Sequence, residues 1–172
     1  MHELYHIFGL DTSKRGNVYH LDAGDESSLV WLGGNCLTFI DIVSLKRRYL
    51  FSIDDCGIGA FVVHPTQKFV AVGETGFNPN IYIYDYPDLQ LSKTLRSGAC
   101  KSFACMCFSQ SGKKLATVST SPDFMLTIWD WTNERMLLHS KVSSHRASNL
   151  SPMLLDAAGV WPGYTWCSIF SA

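Results

Sequence analysis

The sequence predicts an all-β chain of repeated four-stranded antiparallel units, about two and a half of them, ending in an irregular C-terminal tail. Three observations carry that expectation. Residues 61–72 repeat in 106–117, and 81–86 repeat in 126–131, both at a spacing of 45 and without a gap. Each unit breaks into short apolar runs separated by turn formers. Tyr, Ile, Val, Trp and Thr fill those runs, the residue types that a pleated, half-buried surface prefers.

The elements follow in order. The first full unit places strands near 58–63, 69–74, 80–86 and 90–95, and the second near 103–108, 114–119, 125–131 and 135–140. His64-Pro65-Thr66-Gln67 and Ser109-Gln110-Ser111-Gly112 supply the turn between the first two strands of each unit. Pro122-Asp123 marks a later turn. An earlier, partial unit has strands near 28–32, 36–42 and 47–52, with Gly33-Gly34-Asn35 as its turn. Its Phe39-Ile40-Asp41 corresponds to Ile83-Tyr84-Asp85 at a spacing of 44. The chain therefore divides into an N-terminal segment (1–25, an outer strand or a linker), a partial unit (26–56), two full units (57–96 and 102–141) and a non-repeat tail (142–172).

Composition narrows the function classes. The chain has 172 residues, of which 47% are hydrophobic and 13% aromatic, so it can bury a core. Its 14 basic and 15 acidic residues give a formal charge of −1, which offers no electrostatic case for nucleic acid or an anionic membrane. No apolar run approaches the roughly 18 residues of a membrane span. The start, Met1-His2-Glu3-Leu4-Tyr5-His6, lacks the basic and apolar regions of a signal peptide. An intracellular chain with six reduced cysteines is expected.

A period near 45 with four strands per unit is the WD-repeat pattern. Phe108-Ser109-Gln110-Ser111-Gly112-Lys113-Lys114-Leu115-Ala116-Thr117 and Asp123 through Ile128-Trp129-Asp130 resemble that family's two signature segments. The resemblance implies an incomplete WD40-type β-propeller of about two and a half blades. It assigns structural roles to Phe108, Gly112, Leu115, Asp123, Ile128, Trp129 and Asp130, and to Tyr84 and Asp85 in the preceding blade. Trp129 is expected to fill space between blades, and Asp123 to cap N–H groups in a tight turn. The Gly-His pair that opens the family's repeat is missing near Ile53 and Gly98, so its buried network is incomplete.

A narrower resemblance rests on Gly76-Phe77-Asn78-Pro79 with Tyr84-Asp85-Tyr86-Pro87, on Ser121-Pro122-Asp123-Phe124-Met125-Leu126-Thr127-Ile128-Trp129, and on Phe8-Gly9-Leu10-Asp11 with Arg15 and Leu21-Asp22. These segments are similar to the large cilia- and flagella-associated WD-repeat proteins. The similarity implies an axonemal scaffold that helps tether inner-arm dynein to doublet microtubules and supports cilium assembly and beating. Its partners would be sister ciliary WD-repeat proteins, dynein and microtubule-associated components, with no cofactor. The alternative is a general cytosolic WD40 platform in a ligase adaptor or trafficking complex. Partner-binding residues are unassigned; 75–79 and 119–122 are exposed candidates that read better as plain turns.

The repeat stops near Lys141. A next unit would put Pro152 in its first strand and Pro162 in its second, where each removes a ladder donor. The sharper reading is that residues after about 141–145 come from alternative splicing or a truncated transcript; the blander one is an irregular extension. Such an array should leave an apolar face at each end.

Nothing in the sequence assembles catalysis. Cys100, Cys105 and Cys107 lack the paired spacing of a zinc site, and Cys105 and Cys107 should share one strand face as packing groups. His2 and His6 lie in no helical pattern, His64 sits in a turn with no nameable partner, and Asp54-Asp55 reads as a solvated turn. Gly57-Ile58-Gly59 lacks the rest of a dinucleotide fingerprint, and there is no P-loop.

Overall fold

The structure is a computed structural model that describes residues 9–10, 17–22, 24 and 27–142. Among them are twelve strands in three four-stranded antiparallel sheets. None of the described residues forms a helix long and apolar enough to cross a membrane. The first sheet runs β1 (Val18–Asp22), β2 (Ser27–Gly33), β3 (Cys36–Asp41), β4 (Arg47–Phe51). The second runs β5 (Ile58–Val63), β6 (Phe69–Glu74), β7 (Ile81–Asp85), β8 (Leu91–Leu95). The third runs β9 (Phe103–Phe108), β10 (Leu115–Ser119), β11 (Met125–Asp130), β12 (Arg135–Lys141). Each strand pairs with the next in sequence, so each sheet is a meander.

In the first sheet the outer strand offered for residues 1–25 is present. The sheet is a full four-stranded one, because Val18–Asp22 pairs with β2 from Val18↔Trp31 to Asp22↔Ser27. Within Val-Tyr-His-Leu-Asp only Leu21 is fully buried, so the segment has too weak an apolar pattern to announce a strand. The segment that would begin a further unit, from 148 onward, lies outside the described residues.

The middle sheet is covered on both faces, which explains its near-continuous apolar strands. Side chains alternate along a strand. Val70, Val72, Tyr82 and Tyr84 therefore turn toward Leu21, Val30, Leu37 and Phe39 of the first sheet. Ala71, Ile81 and Ile83 turn toward Phe103, Met106, Leu115 and Trp129 of the third. The opposite face of the third sheet carries a separate apolar cluster. Cys107, Ala116, Val118, Leu126 and Ile128 are buried there, with Val142 packed against them.

One turn recurs three times. Asp41, Asp85 and Asp130 each end the third strand of a sheet, and Leu45, Leu89 and Glu134 follow four residues later with φ of 56, 55 and 54°. Leu45 N–H donates to the Asp41 carbonyl at 2.9 Å, and Leu89 N–H to the Asp85 carbonyl at 2.8 Å. The spacings of 44 and 45 seen in sequence are thus spacings of equivalent turns.

Candidate functional site

Of the residues singled out by the WD pattern, Phe108, Leu115, Trp129 and Tyr84 lie at the seams between sheets. At the seam of the second and third sheets, Phe108, Leu115 and Trp129 lie in one buried cluster with Val62, Ile81, Ile83 and Leu95. Trp129 is 2% exposed and donates its indole N–H to Thr117 Oγ1 at 3.2 Å. Ile128, its neighbour on β11, points to the opposite face. Gly98 sits against this ring; a Cβ there would come within 2.8 Å of it. Tyr84 occupies the other seam, and its hydroxyl pKa is pushed up to about 12, first by burial and then by the negative charge of Glu74.

His64, left without a role by the sequence, latches the second sheet to the third. Thr66 N–H donates to His64 Nδ1 at 3.1 Å, so the ring proton sits on Nε2 and is donated to the Gly112 carbonyl at 3.0 Å. The Trp131 indole N–H reaches the same carbonyl at 2.7 Å. Phe69, Phe108 and Trp131 surround the imidazole, with ring centroids 5.5, 4.9 and 5.5 Å away. No charged or titratable side chain is among these contacts. Sequence reasoning missed this role because the bonded carbonyl lies 48 residues away.

Burial holds the His64 pKa below its ordinary value of 6.5. In acid the unfolded chain takes up a proton that the folded ring resists. The latch therefore contributes less stability as pH falls through 6.5, until the folded-state pKa is reached. Glu74 acts in the opposite sense, since burial raises its pKa above 4.5. The clean measure is a difference. Across urea unfolding curves from pH 8 to 5, the native chain should lose stability relative to His64→Gln. Parallel profiles would count against the latch.

Two carboxylates clamp the links between sheets, where the family's Gly-His pair is absent. Glu74, at the end of β6, is 1% exposed and accepts the N–H groups of Ile53 at 2.5 Å and Asp54 at 3.4 Å, in the link from β4 to β5. Asp123 Oδ2 accepts the Cys100 N–H at 2.7 Å, in the link from β8 to β9. The expected capping by Asp123 thus serves a segment 23 residues upstream. Glu74→Ala strips the acceptor from two N–H groups and should cost about 2 kcal/mol, whereas Glu74→Gln keeps one acceptor and should cost less than about 1 kcal/mol. Denaturant titration of both variants checks the order.

The other seam uses a different set of contacts. Tyr86 stacks on Phe39 at 6.1 Å, and Arg48 lies 5.6 Å over the Tyr86 ring while donating to the Pro87 carbonyl at 2.6 Å. Asp85 and Asp130 shape the recurring turn. Asp130 accepts from Thr132 Oγ1 at 2.8 Å and Asn133 Nδ2 at 2.9 Å, and the Asn133 and Thr132 bonds lower its pKa.

Among the described residues, no three His, Cys, Asp or Glu side chains converge as a metal site would require. Cys105 and Cys107 share the far face of the third sheet, where burial pushes their thiols up to about 12 and about 11. Such thiols stay protonated and unreactive at neutral pH. Asp54 and Asp55 are exposed in the link after β4. His2 and His6 lie outside the described residues. His64, Glu74 and Asp123 each spend a polar group on joining one sheet to the next or to the link between them.

Comparison with known proteins agrees with that geometry. No protein-family model matches the chain. It is 40% identical over 141 residues, 82% of its length, to cilia- and flagella-associated protein 44 of Mus musculus. The figure for the Chlamydomonas reinhardtii protein of the same name is 36% over 149 residues, 83% of the chain. Cilia- and flagella-associated protein 43 of Mus musculus is 28% identical over 66% of the chain. Echinoderm microtubule-associated protein-like 2 of Mus musculus is 25% identical over 88% of the chain and 25% of its own length. The chain spans 8% of the length of the two protein 44 relatives. With three meandering sheets, a 45-residue register and this identity over most of its length, the chain belongs to the WD-repeat proteins of cilia and flagella, on the side of cilia- and flagella-associated protein 44.

Proposed function

We propose that the chain is a non-enzymatic piece of an axonemal scaffold. It contributes blades to a larger platform that tethers inner-arm dynein to doublet microtubules and supports cilium assembly and beating. The observation that carries this reading is the identity of 36–40% over more than four fifths of the chain to proteins named for cilia and flagella. The similarity to a microtubule-associated protein supports a microtubule component among its partners. The motif residues Trp129, Thr117 and Gly112 are engaged with one another or with the neighbouring sheet, which leaves rim loops and sheet edges for partners.

The test is localisation followed by extraction. Tagged full-length protein in ciliated cells should concentrate along the axoneme and remain after detergent removes the membrane. Diffuse cytosolic signal would defeat the ciliary reading and favour a general interaction platform. Signal lost with the detergent would defeat the tether.

A further inference from the structure

A cleft of about 570 Å³ opens on the rim of the second and third sheets, within the range of roughly 300–1,000 Å³ usual for ligand pockets. Asn78 and Asn80 from the loop before β7, Arg96 and Cys100 from the link after β8, Asp123 from the turn before β11 and His139 from β12 are among its lining residues.

One carboxylate oxygen in this lining lacks a partner. Asp123 Oδ2 accepts the Cys100 N–H at 2.7 Å. The Cys100 thiol, a weak donor, leans on the same carboxylate, which raises the thiol's pKa. Asp123 Oδ1 is buried and accepts no hydrogen bond among the described residues, although the residue as a whole stays partly exposed at the cleft wall. Arg96 does not compensate it: that side chain is exposed and forms no ion pair among the described residues. A bare buried acceptor is costly until something supplies a donor. The neighbouring amides add acceptors. Asn80 spends an N–H on the Tyr82 hydroxyl at 3.1 Å and keeps its oxygen, and Asn78 brings a second amide oxygen. His139 is tied through Nδ1 to Thr127 Oγ1 at 2.9 Å, and Met125 gives the cleft an apolar wall.

We propose that this cleft receives a lysine side chain from a partner protein, its ammonium bonding Asp123 Oδ1 and an asparagine amide oxygen while its methylenes lie along Met125. An ammonium carries three donors and no acceptor, which matches a site rich in acceptors. Its apolar stem suits a wall such as Met125. A guanidinium fits less well, because its fork pairs with both oxygens of a carboxylate and Oδ2 is already spent on the Cys100 N–H. The proposal rests on the scaffold reading and names one surface through which it would act.

The experiment uses the full chain and a set of capped heptapeptides, each with one central Lys among Ala, Ser, Leu and Gly, beside the same set carrying acetyl-lysine or Arg. Binding is read from NMR shifts of the amides at 98–100 and 123–125. Lys peptides should bind, with acetyl-lysine weaker by about tenfold or more and Arg weaker by about threefold or more. Asp123→Asn keeps an oxygen for the Cys100 N–H but replaces the bare acceptor with an amide N–H. It should lose about tenfold in affinity while its spectrum away from the cleft stays native. Arg96→Gln removes a like charge from the rim and should bind Lys peptides as tightly as the native chain or more tightly. Binding by no Lys peptide, equal binding of the acetyl-lysine or Arg set, or full binding by folded Asp123→Asn would each overturn the proposal. Weaker binding by Arg96→Gln would place the anchor on Arg96 and overturn it too. If Asp123→Asn does not fold, the acetyl-lysine peptides and Arg96→Gln still decide. If the peptides fail while tagged protein still holds the axoneme, only the cleft falls. If they bind while the protein stays cytosolic, only the ciliary reading falls.

Discussion

Replacing Trp129 with alanine should lower stability by about 3–5 kcal/mol, the range for deleting a large aromatic from a packed core. The ring lies between two sheets, so its loss opens a cavity at the seam and not at one sheet's edge. It also leaves Thr117 Oγ1, on a fully buried residue, without its indole donor. That second cost is separable. Trp129→Phe keeps most of the ring but removes the donor, and should cost about 1–3 kcal/mol. Thr117→Val makes the other half of the cycle. If Trp129→Phe costs clearly less in the Thr117→Val background than alone, the hydrogen bond is carried as drawn; an equal cost in both backgrounds, which is full additivity, would refute it. Urea unfolding with a common slope gives all four values.

Gly112→Ala should be the second most damaging change, at about 3 kcal/mol, although it adds a single methyl group. Two effects combine. Gly112 has φ of 74°, a left-handed conformation that costs an L side chain roughly 1–2 kcal/mol. A Cβ at this position would lie 2.3 Å from His64 Nε2, so the imidazole must leave. Its departure breaks the bond to the Gly112 carbonyl and loosens the ring contacts with Phe69, Phe108 and Trp131, a further cost of about 1–3 kcal/mol. His64→Ala in the Gly112→Ala background should recover little of the backbone cost but remove the clash. The two substitutions should therefore be clearly non-additive. Independent effects would mean that the latch does not couple the sheets. The acid sensitivity assigned to His64 should also vanish in Gly112→Ala, because the ring is then free to take its proton in both states.

Most strands were legible in the residues alone. The expected strands at 58–63, 69–74 and 103–108 coincide with β5, β6 and β9, and the others shift by one residue at an end or two. Local chemistry explains that success: β-branched and aromatic runs bounded by Asp, Pro, Gly and Ser specify strand and turn without reference to the rest of the chain. The 45-residue spacing added the register between units, and the WD resemblance placed Trp129 at a seam. For residues 1–25 an outer strand and a linker both stood open, because an edge strand with one fully buried residue shows little alternation; the structure has the strand, β1.

By itself the sequence determined the repeating strand pattern, the spacing of Asp41, Asp85 and Asp130 and the kinship of the chain, because each depends on residues close together or on a period. Only the tertiary structure decided which polar groups join the sheets. Glu74 holds a link 20 and 21 residues behind it, Asp123 one 23 residues behind it, and His64 a carbonyl 48 residues ahead. A buried hydrogen bond needs only one donor and one acceptor brought within about 3 Å, and nothing in the local sequence records which distant backbone group will arrive there.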